Sequence, residues 1–324
     1  MNILVTGGAG FIGSHFVRTV LADAMPGLEG ARVTVLDKLT YAGNFANLGP
    51  VAESERLDFV PGDVADAALT DTVVRGHDAV VHFAAESHVD RSIRASADFT
   101  VTNVVGTQVL LDAALRHDTP RFLHVSTDEV YGSIDTGAWT EESPLAPNSP
   151  YAATKAGSDL LALAYHRTHG LPVVVTRCAN NYGPYQHPEK LVPRFVTNLL
   201  SGRTVPLYGD GHQVRDWIHV DDHCRAIALA LTGGTAGSVY HIAGTAELSN
   251  RDLTARLLKL CAAGDDRIVH VADRKGHDFR YALDDDKIRR ELGYRPRTDF
   301  DEGLAETVRW YREHEDWWRP LVID

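Results

Sequence analysis

The chain has 324 residues, 44% of them hydrophobic, and a formal net charge of −12, so it can bury a large α/β core in one domain or two lobes. The acidic balance excludes nucleic acid as a partner, because phosphates require a basic footprint. Three widely spaced cysteines (Cys178, Cys224, Cys261), a strand pattern beginning at Asn2 and no apolar run of membrane-spanning length lead to the expectation of a cytoplasmic protein without disulfides or membrane contacts.

Residues 2–6 read as a strand, after which Gly7-Gly-Ala-Gly10-Phe11-Ile12-Gly13 opens a helix to about residue 24. Gly-x-x-Gly-x-x-Gly is a variant of the dinucleotide fingerprint: the glycines allow a tight turn and close backbone approach, and the helix N-terminus receives a pyrophosphate. The next strand, 32–36, ends at Asp37. An acid there accepts hydrogen bonds from ribose hydroxyls and repels a 2′-phosphate, which favours NAD over NADP; the adjoining Lys38 works slightly the other way.

A third strand, 57–61, leads to Asp63 and Val64, where the acid bonds an adenine or caps the next helix. A fourth, 79–83, leads to Ala84, Ala85 and Ser87, whose small side chains let backbone lie against a cofactor or simply pack closely. From about 94 to 117, Val101, Val104, Val105, Gln108, Leu111 and Leu115 recur at helical spacing and predict one apolar face. The strand 121–126 then delivers Thr127, Asp128 and Glu129 at its carboxyl end, where open α/β sheets bind ligands. A helix from Tyr151 to about His169 follows, and then a strand at 171–177. Residues 179–215 are rich in Pro, Gly, Tyr and Asn, with one helix near 191–201. Further helices are expected at 221–232, 250–262, 284–292 and 301–316, with a last strand at 239–243.

Alternating strands and helices predict a doubly wound parallel Rossmann sheet with a smaller α/β carboxyl-terminal lobe. The expected division is an NAD-binding domain over 1–180, to which segments near 216–246 return, and a mainly substrate-binding lobe over 181–324. His219-Val-Asp-Asp-His223 has a metal-like look, but Asp221 reads as the N-cap of the following helix, which leaves His219 off the face of His223; no metal site is expected. His82 and His124 lie in strands and read as satisfied core groups.

Tyr151 and Lys155 lie four apart on one helical face. A tyrosine has a pKa near 10, and base work near neutrality wants it about 3 units lower, roughly 4 kcal/mol, which a nearby ammonium and a nicotinamide's charge could supply. Two adjacent carboxylates at a strand end can divide acid and base roles, because like charges push one pKa up.

Together the glycine fingerprint, Asp37, Ser126-Thr127 and Tyr151-x-x-x-Lys155 resemble an extended short-chain dehydrogenase/reductase. Ser126-Thr-Asp-Glu-Val-Tyr-Gly132 is similar to the dTDP-glucose 4,6-dehydratase family within it. So are Asp37-Lys-Leu-Thr-Tyr41, Ala84-Ala-Glu-Ser-His-Val-Asp-Arg91, Asn180-Asn-Tyr-Gly-Pro184, Pro188-Glu-Lys-Leu191, Arg215-Asp-Trp217 and Gly276-His-Asp278. One departure is Lys275, where that pattern has Pro, and it concerns only the local loop.

The resemblance implies an NAD-dependent lyase acting on a nucleotide-diphosphate hexose, dTDP-glucose first, with a UDP-sugar or a 4-epimerase as alternatives and a silent dinucleotide-binding regulator as the rival of another class. It implies catalytic roles for Thr127, Asp128, Glu129, Tyr151 and Lys155. It places NAD on Gly7, Gly10, Phe11, Ile12, Gly13, Asp37, Lys38, Thr40, Asp63, Val64, Phe83, Ala84, Ala85, Ser87, Thr102, Tyr151, Lys155 and Asn181. For the sugar nucleotide it selects Ser87, Thr127, Asn180, Lys190, Leu191, Pro206, Tyr208, Arg215, Asn250, Arg274, His277 and Tyr281. It also implies a homodimer formed through the helices near 94–117 and 151–169.

Overall fold

A computed structural model describes residues 1–322; residues 323 and 324 of the expected carboxyl-terminal lobe lie outside the described residues. The strands are β1 (Asn2–Thr6), β2 (Arg32–Asp37), β3 (Leu57–Pro61), β4 (Ala79–His82), β5 (Phe122–Thr127), β6 (Val173–Cys178), β7 (Asn180–Tyr182), β8 (Val205–Tyr208), β9 (Val214–His219), β10 (Val239–Ile242), β11 (Ala246–Ser249) and β12 (Ile268–Val271). Seven of them form one sheet in the order β10-β6-β5-β4-β1-β2-β3, every pair parallel. The order reverses between β1 and β4, which opens a crevice beyond the carboxyl ends of both strands.

Helices cover both faces, so side chains of the central strands are buried whichever way they point. Ile3 and Val5 pack with Phe16 and Val17 of helix Phe11–Leu21 and with Ile227 and Leu231 of helix Val220–Gly233. Leu4, between them, joins Leu110 and Leu111 of helix Gly106–Arg116 and Ala162 and Leu163 of helix Pro150–His169. A separate core of Tyr182, Phe195, Trp217, Leu253, Leu304 and Tyr311 lies beneath the small sheet β11-β9-β7 and the pair β12-β8. Between β9 and β11, the chain contributes helix Val220–Gly233 and β10 to the large layer.

Far-apart parts of the chain are tied directly to one another. Trp317 Nε1 donates to Asn47 Oδ1 at 3.0 Å, and Asn47 Nδ2 donates to the carbonyl of Ala9 in the glycine turn at 2.8 Å. The Arg18 guanidinium lies 4.2 Å from the Tyr185 ring, which packs against Trp310 at 4.5 Å.

The apolar stripe divides along its length: Leu111 is buried, while Val101 and Val105 are 47% and 41% exposed beside buried Thr102, Asn103, Gly106 and Thr107. Residues Thr100–Val105 form a π-helical segment, whose i→i+5 bonding shifts the phase of the helix by one position. Two expectations need correction. At the metal-like motif, His219 itself is the N-cap, its Nδ1 accepting from the Asp221 amide at 3.3 Å, so Asp221 lies inside the first turn. His82 is satisfied at both ring nitrogens, by Thr6 and Thr107. His124, by contrast, engages only Nε2 and leaves Nδ1 without a partner among the described residues.

Candidate active site

The crevice is a cavity walled by the glycine turn, the ends of β2, β4, β5 and β6, and the head of helix Pro150–His169. Gly7 has φ +69°, and a Cβ there would meet Ala84 N at 2.6 Å. A Cβ on Gly13 would meet the Gly7 carbonyl at 2.4 Å. This fold of the turn thus demands glycine at both places, and it aims the open N-terminus of helix Phe11–Leu21 into the cavity, as a pyrophosphate requires. Gly7→Ala is expected to yield protein without bound dinucleotide, read from its absorbance ratio after gel filtration; normal occupancy would show that the turn tolerates a side chain.

Asp37 stands at the end of β2, its Oδ1 accepting from the Leu39 amide and its Oδ2 from that of Ala9. Burial raises this carboxyl, and the two amide bonds oppose the rise. Gly10, Phe11, Ile12, Lys38, Thr40, Val64, Phe83, Ala84, Ala85, Ser87, Thr102 and Asn181 also line the wall, an arrangement that fits a dinucleotide. Asp63 does not join them. It accepts from the Ala65 amide and lies 3.4 Å from Lys38 Nζ, while Asp66 caps the following helix.

The catalytic candidates converge at the other end of the same cavity. Thr127 ends β5, and the chain turns at once into a 3-10 helix, Asp128–Tyr131. Thr127 Oγ1 donates to Asp128 Oδ1 at 3.1 Å and accepts from the Glu129 amide at 3.3 Å. Burial pushes the Asp128 carboxyl well above the ordinary range, and neighbouring Glu129 adds to the rise. Asp128 Oδ2 is buried without a partner among the described residues. Burial raises Glu129 too, but Arg274, Lys190 and Arg215 pull it back. The acid pair is therefore asymmetric: burial and its neighbour favour the protonated form of Asp128, and Glu129 faces the cations that favour its ionised form.

Lys155 Nζ donates to the carbonyl of Val125 at 2.8 Å. Burial lowers its pKa to about 8, against the pull of Asp159, so the ammonium persists at neutral pH. From the protein's own groups, burial raises the Tyr151 phenol well above its ordinary value, with Glu129, Cys178 and Asp128 adding to the rise and Thr127 opposing it.

Of the sugar-nucleotide candidates, Ser87, Thr127, Asn180 and Lys190 line this cavity. Lys190 Nζ donates to the Ser87 carbonyl at 2.6 Å, and Leu191 begins the helix that Lys190 caps. Pro206 and Tyr208 line a second cavity, which shares His187 and Glu189 with the first. The Arg274 Nε is buried and unpartnered among the described residues. Arg215 lies 4.2 Å over the Tyr281 ring, with three of its five N–H donors occupied by the carbonyls of Val214, Phe279 and Asp278. His277 is held by Asp273 at 2.6 Å, and Asn250 Oδ1 is buried without a partner among the described residues.

Sequence reasoning missed Ala42, Gly43, Cys178, Gln186, His187 and Glu189 in the wall. Glu189 pairs with Arg91 at 3.1 Å, and Arg91 lies 3.7 Å over the Tyr41 ring. Both sides of that contact stand within the family-like segments, and pairing the Glu with the Arg was the available signal.

Comparison with known proteins agrees with this geometry. The GDP-mannose 4,6 dehydratase family description matches residues 4–307. A dTDP-glucose 4,6-dehydratase of Streptomyces niveus is 64% identical over 321 residues, 99% of this chain and 96% of the relative. DesIV, a dTDP-glucose 4,6-dehydratase of Streptomyces venezuelae solved with NAD and dTDP bound, is 65% identical with a TM-score of 0.98, covering 99% of this chain and 100% of that one. A UDP-glucose 4-epimerase of Thermotoga maritima shares the fold at 32% identity and a TM-score of 0.88, covering 97% and 99%. On the strength of the glycine turn, the acid pair beside Tyr151 and Lys155, and these matches, the chain belongs to the GDP-mannose 4,6 dehydratase family of extended short-chain dehydrogenase/reductases, among its dTDP-glucose 4,6-dehydratases.

Proposed function

We propose that the chain converts dTDP-glucose into dTDP-4-keto-6-deoxyglucose and water, with NAD as cofactor. The observation that carries this reading is the asymmetric acid pair on the turn after β5. NAD bound along the glycine turn supplies the oxidant for C4, a positive ring charge beside Tyr151, and the hydride returned to C6. In its phenolate form, which Lys155 and a bound nicotinamide's positive charge would favour, Tyr151 accepts the proton of the 4-hydroxyl, whose oxygen Thr127 holds. The resulting ketone acidifies the C5–H bond, and Glu129 removes that proton. Asp128 gives its proton to the departing 6-hydroxyl, which leaves as water. Glu129 then returns a proton to C5 as C6 is reduced. Lys190, Arg215 and Arg274 are the cations suited to the diphosphate, and Pro206 and Tyr208 face the nucleobase. The epimerase alternative shares the fold yet has no use for an acid and a base at C5 and C6.

Turnover of a panel of nucleotide glucoses in heavy water tests the reading. The dTDP sugar is expected to react fastest and to carry one solvent deuterium at C5; a product without it excludes Glu129 as the base. Preference for the UDP sugar would correct the substrate.

Two further elements belong to the proposal. The chain acts as a homodimer, joined across Val101, Val105 and Leu160, which is 57% exposed, on the outer faces of two neighbouring helices. Leu160→Asp is expected to halve the mass seen by light scattering, and an unchanged mass would clear this face of the role. The compartment is the cytoplasm, which suits three free thiols; among the described residues no helix is long and apolar enough to cross a membrane.

A further inference from the structure

Behind the active site lies a buried polar chain that the reaction itself does not use. Asp159, His241, Tyr131 and Arg177 are all at most 3% exposed. Asp159 stands on the helix of Tyr151 and Lys155, one turn beyond Lys155. Tyr131 stands on the 3-10 turn of Asp128 and Glu129. Arg177, on β6, links the two: its Nε donates to Asp159 Oδ2 at 2.8 Å, and its Nη1 donates to the Tyr131 hydroxyl.

The chain continues outward. His241 Nδ1 lies 2.9 Å from the carbonyl of Asp284, which can only accept, so Nδ1 carries the hydrogen. Nε2 is then a bare acceptor for the Tyr131 O–H at 2.6 Å. The backbone N–H of His241 donates to Glu141 Oε1 at 3.0 Å. Burial alone would raise the Asp159 carboxyl; His124 and Arg177 instead bring it down to about 2, which keeps the ion pair charged. Burial lowers His241 to about 3, so it stays neutral.

A buried ion pair contributes little net stability over apolar packing, because desolvation offsets the attraction. Its geometric effect is specific, since the directional bonds of a planar guanidinium fix the parts they join. Here those parts carry different steps: Tyr151 works at C4, and the acid pair works at C5 and C6 of the same bound sugar. Misplacement by about 1 Å can cost on the order of 10²-fold in rate.

We propose that Asp159, Arg177, Tyr131 and His241 form a positioning relay that holds the acid–base turn in register with the Tyr151–Lys155 helix, so that elimination keeps pace with oxidation. The proposal rests on the dehydratase reading above.

The test is a single turnover of dTDP-glucose by the NAD-loaded enzyme, following the absorbance of reduced nicotinamide and the formation of product separately. Tyr131→Phe keeps the ring, its stack on Trp139 and its place under Arg177, and removes only the hydroxyl. C4 oxidation is expected to stay within about twofold, while dehydration slows roughly 10- to 100-fold with KM unchanged, so that reduced nicotinamide accumulates. His241→Gln, read alongside thermal melting, is expected to shift the same ratio in the same direction. Equal slowing of both steps, or no slowing of either, overturns the relay. The unsubstituted chain runs in parallel: its own failure to form product overturns the dehydratase reading together with the relay, whereas normal turnover there with an unchanged ratio in the variants overturns the relay alone.

Discussion

Glu129→Gln is expected to stop the reaction halfway, with reduced nicotinamide appearing on mixing with dTDP-glucose and 4-keto-6-deoxy product falling about 10²–10⁴-fold, the usual range for loss of a general base. The amide keeps the size of the side chain but cannot take the C5 proton. Oxidation at C4 should proceed, because Tyr151 and Thr127 are untouched. The change also removes a charge that raises Tyr151, so the first step should be no slower and could be somewhat faster. Stopped-flow absorbance and product chromatography separate the two steps. Full dehydration by this variant would remove Glu129 from the mechanism, and loss of both steps together would mean that the residue serves binding or folding.

Tyr151→Phe is expected to act one step earlier. No reduced nicotinamide should form, and turnover should fall about 10²–10⁴-fold. Burial, with the carboxylates around it, raises the phenol, so formation of the phenolate calls for the nicotinamide's charge and Lys155. With Phe at 151, substrate binding should persist, since Lys190, Arg215 and Arg274 are unchanged. Binding by calorimetry with silent absorbance is therefore the expected pair of results; a normal burst would transfer the role of base to another group.

The large sheet was legible because Gly7 follows β1, Asp37 closes β2 and Thr127 closes β5, residue types that show each strand's place. The short strands β7, β8, β9, β11 and β12 were not, because they lie in segments whose Pro, Gly and polar residues mask the alternation. The π bonding of Thr100–Val105 was not legible, because it leaves no mark in side-chain spacing; Thr102, Asn103, Gly106 and Thr107 are buried there while Val101 and Val105 are exposed. Asp128 and Glu129 were visible because two adjacent acids at a strand end are hard to place otherwise. Arg177, Asp159 and His241 stayed hidden because they come from three distant elements, and each alone reads as an ordinary polar residue. The raised phenol of Tyr151 likewise depends on burial and on acids that only the folded chain brings close.

The contact of Trp317 through Asn47 with Ala9 bears on how the protein is made. Gly7 leaves the ribosome long before Trp317 does. A nascent chain can therefore lay down β1 and the helix after it while the nucleotide turn still lacks its outermost brace. Tight capture of the cofactor is thus expected to follow completion of the chain, and a stop just before Trp317 is expected to leave the grip on NAD slacker.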